Sequence, residues 1–230
     1  MFSNTPRNVY PYQYRAVVVD NNDPEKLGRV RLKIPEVFGL ELVSDWASPA
    51  VGIVGPDGQR DKGDFHIPNI GDSVWCRFES GNPNYPIWTG VWYSKATKPP
   101  KLALGTEDDT VMNVNHATGT AKDPYAAKYP YNHVLKTLAG HVIEIDDTPG
   151  EERIKVFHGK STFIDIDKDG NVRIRVVGNV YSEVFGDVSE KIHGNRTTMI
   201  EGDNTLYVQG EELRKSDTHI KDEAPRIDHN

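Results

Sequence analysis

Two stretches of this chain place reactive residue types at suggestive spacings. The run "DIDKDG", Asp165 to Gly170, sets carboxylates at alternate positions ahead of a glycine, as in the first half of a calcium loop, where closely spaced oxygens ligate a hard cation. The bidentate Glu that such a loop needs at its twelfth position is here Val176. The flanking residues alternate as strands, so a hairpin or corner turn is the favoured reading. The second stretch, "GHVIEIDD", offers His141, Glu144, Asp146 and Asp147 as an acid–base set. A strand sends His141 and Glu144 to opposite faces, which keeps them from converging on one substrate atom. No Ser-His-Asp nucleophile signature, His-Glu-x-x-His helix or phosphate-cradling glycine loop is present. Cys76 is the single cysteine; in the apolar run "VWCRF" it reads as a small buried side chain, and it rules out a disulfide framework.

The elements around these stretches are more informative. From Val176 to Gly210 a glycine recurs every eight residues, at Gly178, Gly186, Gly194, Gly202 and Gly210, with Gly170 upstream in register. Two residues before each stands a β-branched apolar side chain: Val176, Val184, Ile192, Ile200 and Val208. The residue after the glycine is Asn179, Asp187, Asn195, Asp203 or Glu211, which in four of five cases is turn chemistry tolerant of positive φ. Each octad therefore reads as one short strand and one corner, with the Val or Ile pointing inward. Eight extended residues span at most about 26 Å, one wall of a prism. Five or six octads wound by a single chain make only a marginal core. Three chains wound together close every level by symmetry and stack the inward residues on the axis, leaving no free strand edge.

Upstream, "YRAVVVD", "RVRLKIP", "DWASPAVGIV", "GDSVWCRFE" and "IWTGVWY" read as short strands separated by "NNDPEKLG", "GPDGQRDKGDF" and "GNPNYP". Five strands in about 80 residues without a convincing helix predict a small closed barrel of the OB type. Residues 96–133 lose periodicity and read as a linker. Strand alternation returns in "HVIEIDD", "RIKVFHG", "STFIDIDKDG" and "NVRIRVVG". The expected organisation is a barrel over 1–95, a linker over 96–133, a β neck over 134–169, an octad needle over 170–212 and a tip segment over 213–230. The fold class is all-β: an N-terminal OB barrel followed by an intertwined triple-stranded β-helix, a trimeric β-prism.

Composition agrees with a folded, soluble chain: 230 residues, 37% hydrophobic and 27% charged. The N-terminal residues lack the pattern of a signal peptide, and no run approaches the roughly 20 apolar residues of a membrane helix. Residues 1–95 carry 10 Lys and Arg against 11 Asp and Glu, and from His133 onward the balance is 13 against 19. Neither half offers the basic face that gathers nucleic-acid phosphates.

With these blocks in order, the chain resembles the central spike, or cell-puncturing, proteins of contractile phage tails and the related type VI secretion spikes. The likeness rests on "VVVDNNDPEKLGRVRLKIP", "WASPA" and "FHIPNIGDSVWCRFESGNPNYPIWTGVW" in the barrel. In the second half it rests on "LKTLAGHVIEIDDTPGEERIKVFHGKSTFIDIDKDGNVRI" and the octads. The resemblance implies a homotrimer at the centre of a virion tail baseplate, or at the tip of an equivalent apparatus. The barrel would be seated on a hub ring, and the needle would make transient contact with the target envelope. Some family members insert a lysozyme domain between barrel and needle; the interval Ser94 to His133 has no room for one, so a non-enzymatic spike is expected. Many relatives end in a His-x-His apex that binds iron. This chain ends "SDTHIKDEAPRIDHN" without that motif, which implies a blunt end capped by a separate small tip protein. No cofactor is expected. His219, three copies of which would meet on a threefold axis, is the one candidate ligand for an apical metal, and a surface histidine in a terminal segment is the favoured reading.

Two other classes stand beside this one. A single-strand nucleic-acid binder would use Trp46, Trp75, Trp88 and Trp92 as stacking platforms. Against it stand the barrel's charge balance and the placing of three of these tryptophans in apolar runs that favour burial. A trimeric receptor-binding fibre would need a recognition domain, and only 20 residues follow Gly210.

Overall fold

The computed structural model describes residues 9–50, 52, 55, 62–106 and 126–221, and these residues are all-β apart from one short helix and two 3-10 turns. Residues 107–125 of the expected linker and 222–230 of the tip segment lie outside them. The chain divides into two units, Met1–Val180 and Tyr181–Asn230.

The first unit begins with β1 (Tyr14–Asp20), β2 (Arg31–Lys33), the helix α1 (Pro35–Phe38), β3 (Ser48–Pro49), β4 (Ser73–Phe78) and β5 (Pro86–Val91). They form a five-stranded sheet in the order β2-β1-β4-β5-β3. Alternation decides which side is core: Ala16, Val18, Leu32, Val74, Cys76 and Trp88 are buried, while Arg15, Val17 and Arg77 between them face out. The two edges are stitched together, Val30 and Ala47 exchanging both backbone hydrogen bonds (3.1 and 2.8 Å) and Ser44 N donating to Leu32 O at 2.9 Å. The sheet thereby curls closed, as the strand pattern predicts. Each large apolar side chain in this core contributes about 1.5–3 kcal/mol by burial. Cys76 is part of it, and burial pushes its thiol up to about 12, so it behaves as a small hydrophobe.

The "NNDPEKLG" turn is built around one carboxylate. Asp23 accepts hydrogen bonds from the backbone N–H groups of Glu25, Leu27 and Arg29 and from the Arg29 guanidinium, the closest at 2.6 Å. The buried Trp88 indole donates to Gly28 O at 3.1 Å and pins the same turn to the core.

The neck is a second five-stranded sheet, antiparallel throughout, in the order β10-β9-β8-β7-β6. Its strands are β6 (Asn132–Lys136), β7 (Val142–Asp146), β8 (Arg153–Phe157), β9 (Phe163–Ile166) and β10 (Val172–Arg175). β6 lies partly within the stretch assigned to the linker, so the neck begins two residues earlier than expected. The described flanks of that linker also lie against the sheet. Leu102, in a 3-10 turn, is fully buried on Val142, Phe157 and Phe163. Asn132 Nδ2 donates to Leu102 O at 2.9 Å, and Lys128 N to Thr148 Oγ1 at 2.8 Å. At Gly105 (φ +69°) a Cβ would lie 2.5 Å from Ala127 O, so the two flanks approach too closely for any side chain there.

Candidate functional site

The neck sheet has an inverted character. Its covered face carries charge: Glu144, Lys155, Asp165 and Arg173 stand opposite one another in one cross-strand row. Glu144 Oε1 accepts from Asn132 Nδ2 at 2.7 Å, and Asp165 lies 3.8 Å from Arg153 and 3.7 Å from Arg173. The opposite face carries two registered rows that are aliphatic apart from His133. One runs Leu135, Ile143, Val156, Ile164, Ile174; the other runs His133, Ile145, Ile154, Ile166, Val172. Eight of these aliphatic side chains are 47–69% exposed in the single chain, where a water-facing sheet would alternate to polar residues.

Along β10 the same parity runs through Val172, Ile174 and Val176, and the octad residues continue it in sequence. In the second unit no described residue forms a strand. The corners are present, however. The chain bends at 177–178, 185–186, 193–194, 201–202 and 209–210, in each case closing on an octad glycine. A sixth bend at 217–218 keeps the spacing with Thr218 in the glycine's place. The glycine spacing in the sequence stops one period short of it; the only signal was the interval of eight from Gly210. The octad Val and Ile residues are 39–54% exposed, against 96% for Phe185 and 88% for Tyr181 beside them. Among Gly178, Gly186, Gly194, Gly202 and Gly210 none has left-handed φ, and a Cβ on any of them would meet nothing within 4 Å. The positive-φ reason for the glycines therefore does not hold within one chain. Gly170 does have it, at φ +77°, in the β9–β10 hairpin.

The chemical stretches resolve into structure. Asp165, Asp167 and Asp169 do not converge: Asp165 faces two arginines, while Asp167 caps the hairpin. Its carboxylate accepts from Asn171, the Asp169 backbone N–H and Arg173, with Asn171 foremost in holding it down to about 2. Asp146 accepts from the Thr148 backbone N–H and hydroxyl at 3.0 and 2.6 Å, and Asp147 is exposed beside His133. His141 instead stacks on His158, ring centres 4.4 Å apart. Among the described residues no three His, Cys, Asp or Glu gather as a metal site, and His219 is exposed. Of the tryptophans only Trp88 is buried; Trp46, Trp75 and Trp92 are half-buried with arginine guanidinium groups over their rings. Arginine stacking accounts for partial exposure that apolar flanking residues alone did not foretell.

Comparison with known proteins places this architecture. A profile of the type VI secretion system/phage-baseplate injector OB domain matches residues 14–93, the span from the first residue of β1 to two residues past β5. Protein Gp5 of Vibrio phage KVP40 is 48% identical over 54 residues, 24% of this chain and 13% of that protein. The pre-baseplate central spike protein Gp5 of Enterobacteria phage T4 is 33% identical over 116 residues, 43% of this chain and 20% of that protein. The chain thus spans a fifth or less of the length of these curated relatives. Residues 14–93 are therefore similar to the injector OB domain of type VI secretion systems and phage baseplates, and part of the chain is similar to the central spike protein of phage T4.

Proposed function

We propose that the chain is a non-enzymatic structural spike, a homotrimer at the centre of a virion tail baseplate or the tip of an equivalent injection device. It pierces the target envelope and links a hub ring at the barrel to a small capping protein at the needle tip. The observation that carries this reading is the aliphatic face of β6–β10, followed in sequence by the octad stripe of Val176, Val184, Ile192, Ile200 and Val208. A contiguous open apolar face of this kind calls for a partner surface, and an axial stripe on a chain with no ladder of its own is satisfied by two more copies. Closed in this way, the needle has no free edge to unzip under axial load. The open space around each octad glycine then becomes room for a neighbouring chain. No catalytic group and no cofactor takes part, and the work comes from contraction of the surrounding apparatus.

The functional test uses contractile particles that incorporate this chain. Particles with the wild-type spike are expected to admit a membrane-impermeant dye into target cells on contraction. Particles carrying a trimer-breaking octad variant are expected to lose that uptake; undiminished uptake would contradict the puncturing role.

A further inference from the structure

The outward face of the barrel sheet carries a feature that the needle does not use. Arg15 on β1 stands opposite Trp75 on β4, and its guanidinium lies 5.9 Å from the Trp75 ring centre and 5.0 Å from that of Trp92. The two indoles meet at 6.1 Å with 47° between their planes, and Trp92 Nε1 donates to Val74 O at 3.2 Å, which fixes its ring. Lys33, opposite the exposed Val17, and Arg77, two residues beyond Trp75, share this face. Among the described residues none of Arg15, Lys33 and Arg77 has a carboxylate at ion-pair distance. The outward positions of the strands are therefore cationic around a rigid aromatic pair, in a domain whose total charge is close to balanced.

From this we infer that the outer face of β1 and β4 is a docking surface for an acidic protein partner, whose Asp and Glu side chains meet Arg15, Lys33 and Arg77 around the Trp75–Trp92 anchor. Tryptophan and arginine dominate binding energy at protein interfaces when pre-organised, and three unpaired cations on one face select a partner of opposite charge and steer its approach. A nucleic-acid strand fits less well. It needs a basic groove along its length and open ring faces, whereas Arg15 already lies on both indoles. The inference rests on the spike reading, in which the barrel end is seated on a hub, and it assigns the chemistry of that seat.

The experiment titrates the full chain with poly-L-glutamate and, separately, with oligo-dT at low salt, following tryptophan fluorescence and the anisotropy of the labelled polymer. Poly-L-glutamate is expected to bind and to weaken as salt rises. The Arg15→Gln/Arg77→Gln variant is expected to lose about tenfold in affinity, roughly 1.4 kcal/mol. Lys33→Glu should act in the same direction, while Lys160→Gln, in a neck turn, retains wild-type binding. Circular dichroism melts and solution mass are recorded on every sample. Binding unaffected by the face variants, no binding, or tighter binding of oligo-dT overturns the acidic-partner face even where the trimer is intact. A monomeric wild-type chain overturns the spike reading on which it rests.

Discussion

Ile192→Asp is expected to abolish the trimer. In one chain Ile192 is half-exposed, so an aspartate there meets water and costs the single chain little. In a closed prism three copies of residue 192 share one level of the axis, and the substitution brings three carboxylates together where solvent is excluded. Burying an unpaired carboxylate costs several kcal/mol or more, and each chain also loses the roughly 1.5–3 kcal/mol of burying isoleucine. The barrel core shares no residue with the octads, so light scattering should report a monomer of 25.8 kDa while the barrel's melting transition persists. The control is Phe185→Asp. Phe185 stands next to Val184 of the proposed axial stripe and is 96% exposed, so this charge should leave the trimer intact. A stable Ile192→Asp trimer would show that the Val and Ile stripe does not face the axis. Gly194→Val sharpens the point: a side chain there has open space within one chain, so any loss of assembly reports a neighbouring chain at that corner.

Asp23→Ala is expected to unfold the barrel turn and lower the barrel's melting temperature by roughly 10 °C or more. The Asp23 carboxylate accepts from three backbone N–H groups and the Arg29 guanidinium. Its removal leaves those donors and the arginine charge without their acceptor. The turn also presents Gly28 O to Trp88, so its loss reaches the core. The Arg29 guanidinium, first among the causes, holds the Asp23 carboxyl far below the ordinary carboxylate range. A depressed folded-state value means that this stabilisation is complete above the unfolded carboxyl's range, near pH 4, and is lost as pH falls below it. Wild-type barrel stability should therefore fall on acidification below about pH 4, and Asp23→Ala should flatten that dependence. An Asp23→Ala barrel that melts with the wild type would remove the turn from the list of what holds the barrel.

Much of the barrel was legible because its strands alternate. In "RVRLKIP" the apolar and basic residues alternate, and the structure places Val30, Leu32 and Ile34 inside accordingly. The β7–β10 strands were legible for the same reason, but which side was covered was not. Val142, Glu144 and Asp146 share one face with Ile143 and Ile145 on the other, and hydropathy alone would bury the isoleucines. The chain instead covers the Val142 and Glu144 face with its linker flank, where Leu102 packs on Val142, Phe157 and Phe163 and its carbonyl accepts from Asn132 Nδ2. β6 was missed because "NHVLK" lies at the end of a Pro- and Tyr-rich run that hides its alternation. The octad walls form no strand in the single chain, whereas the corners are local and recur at the glycine spacing. Trp75 and Trp92 stood out in the sequence, but their pairing with Arg15 did not, because Arg15 is some 60 or more residues away in sequence and becomes a neighbour only when β1 pairs with β4.

The most direct test of the intertwined spike is the solution mass of the wild-type chain by light scattering, measured in buffer and again after SDS without boiling. A species of three times 25.8 kDa that persists in SDS is the predicted result, because interwound chains separate only by unwinding every octad at once. A chain of 25.8 kDa in buffer would contradict the account, leaving the octads without the partners that close their core.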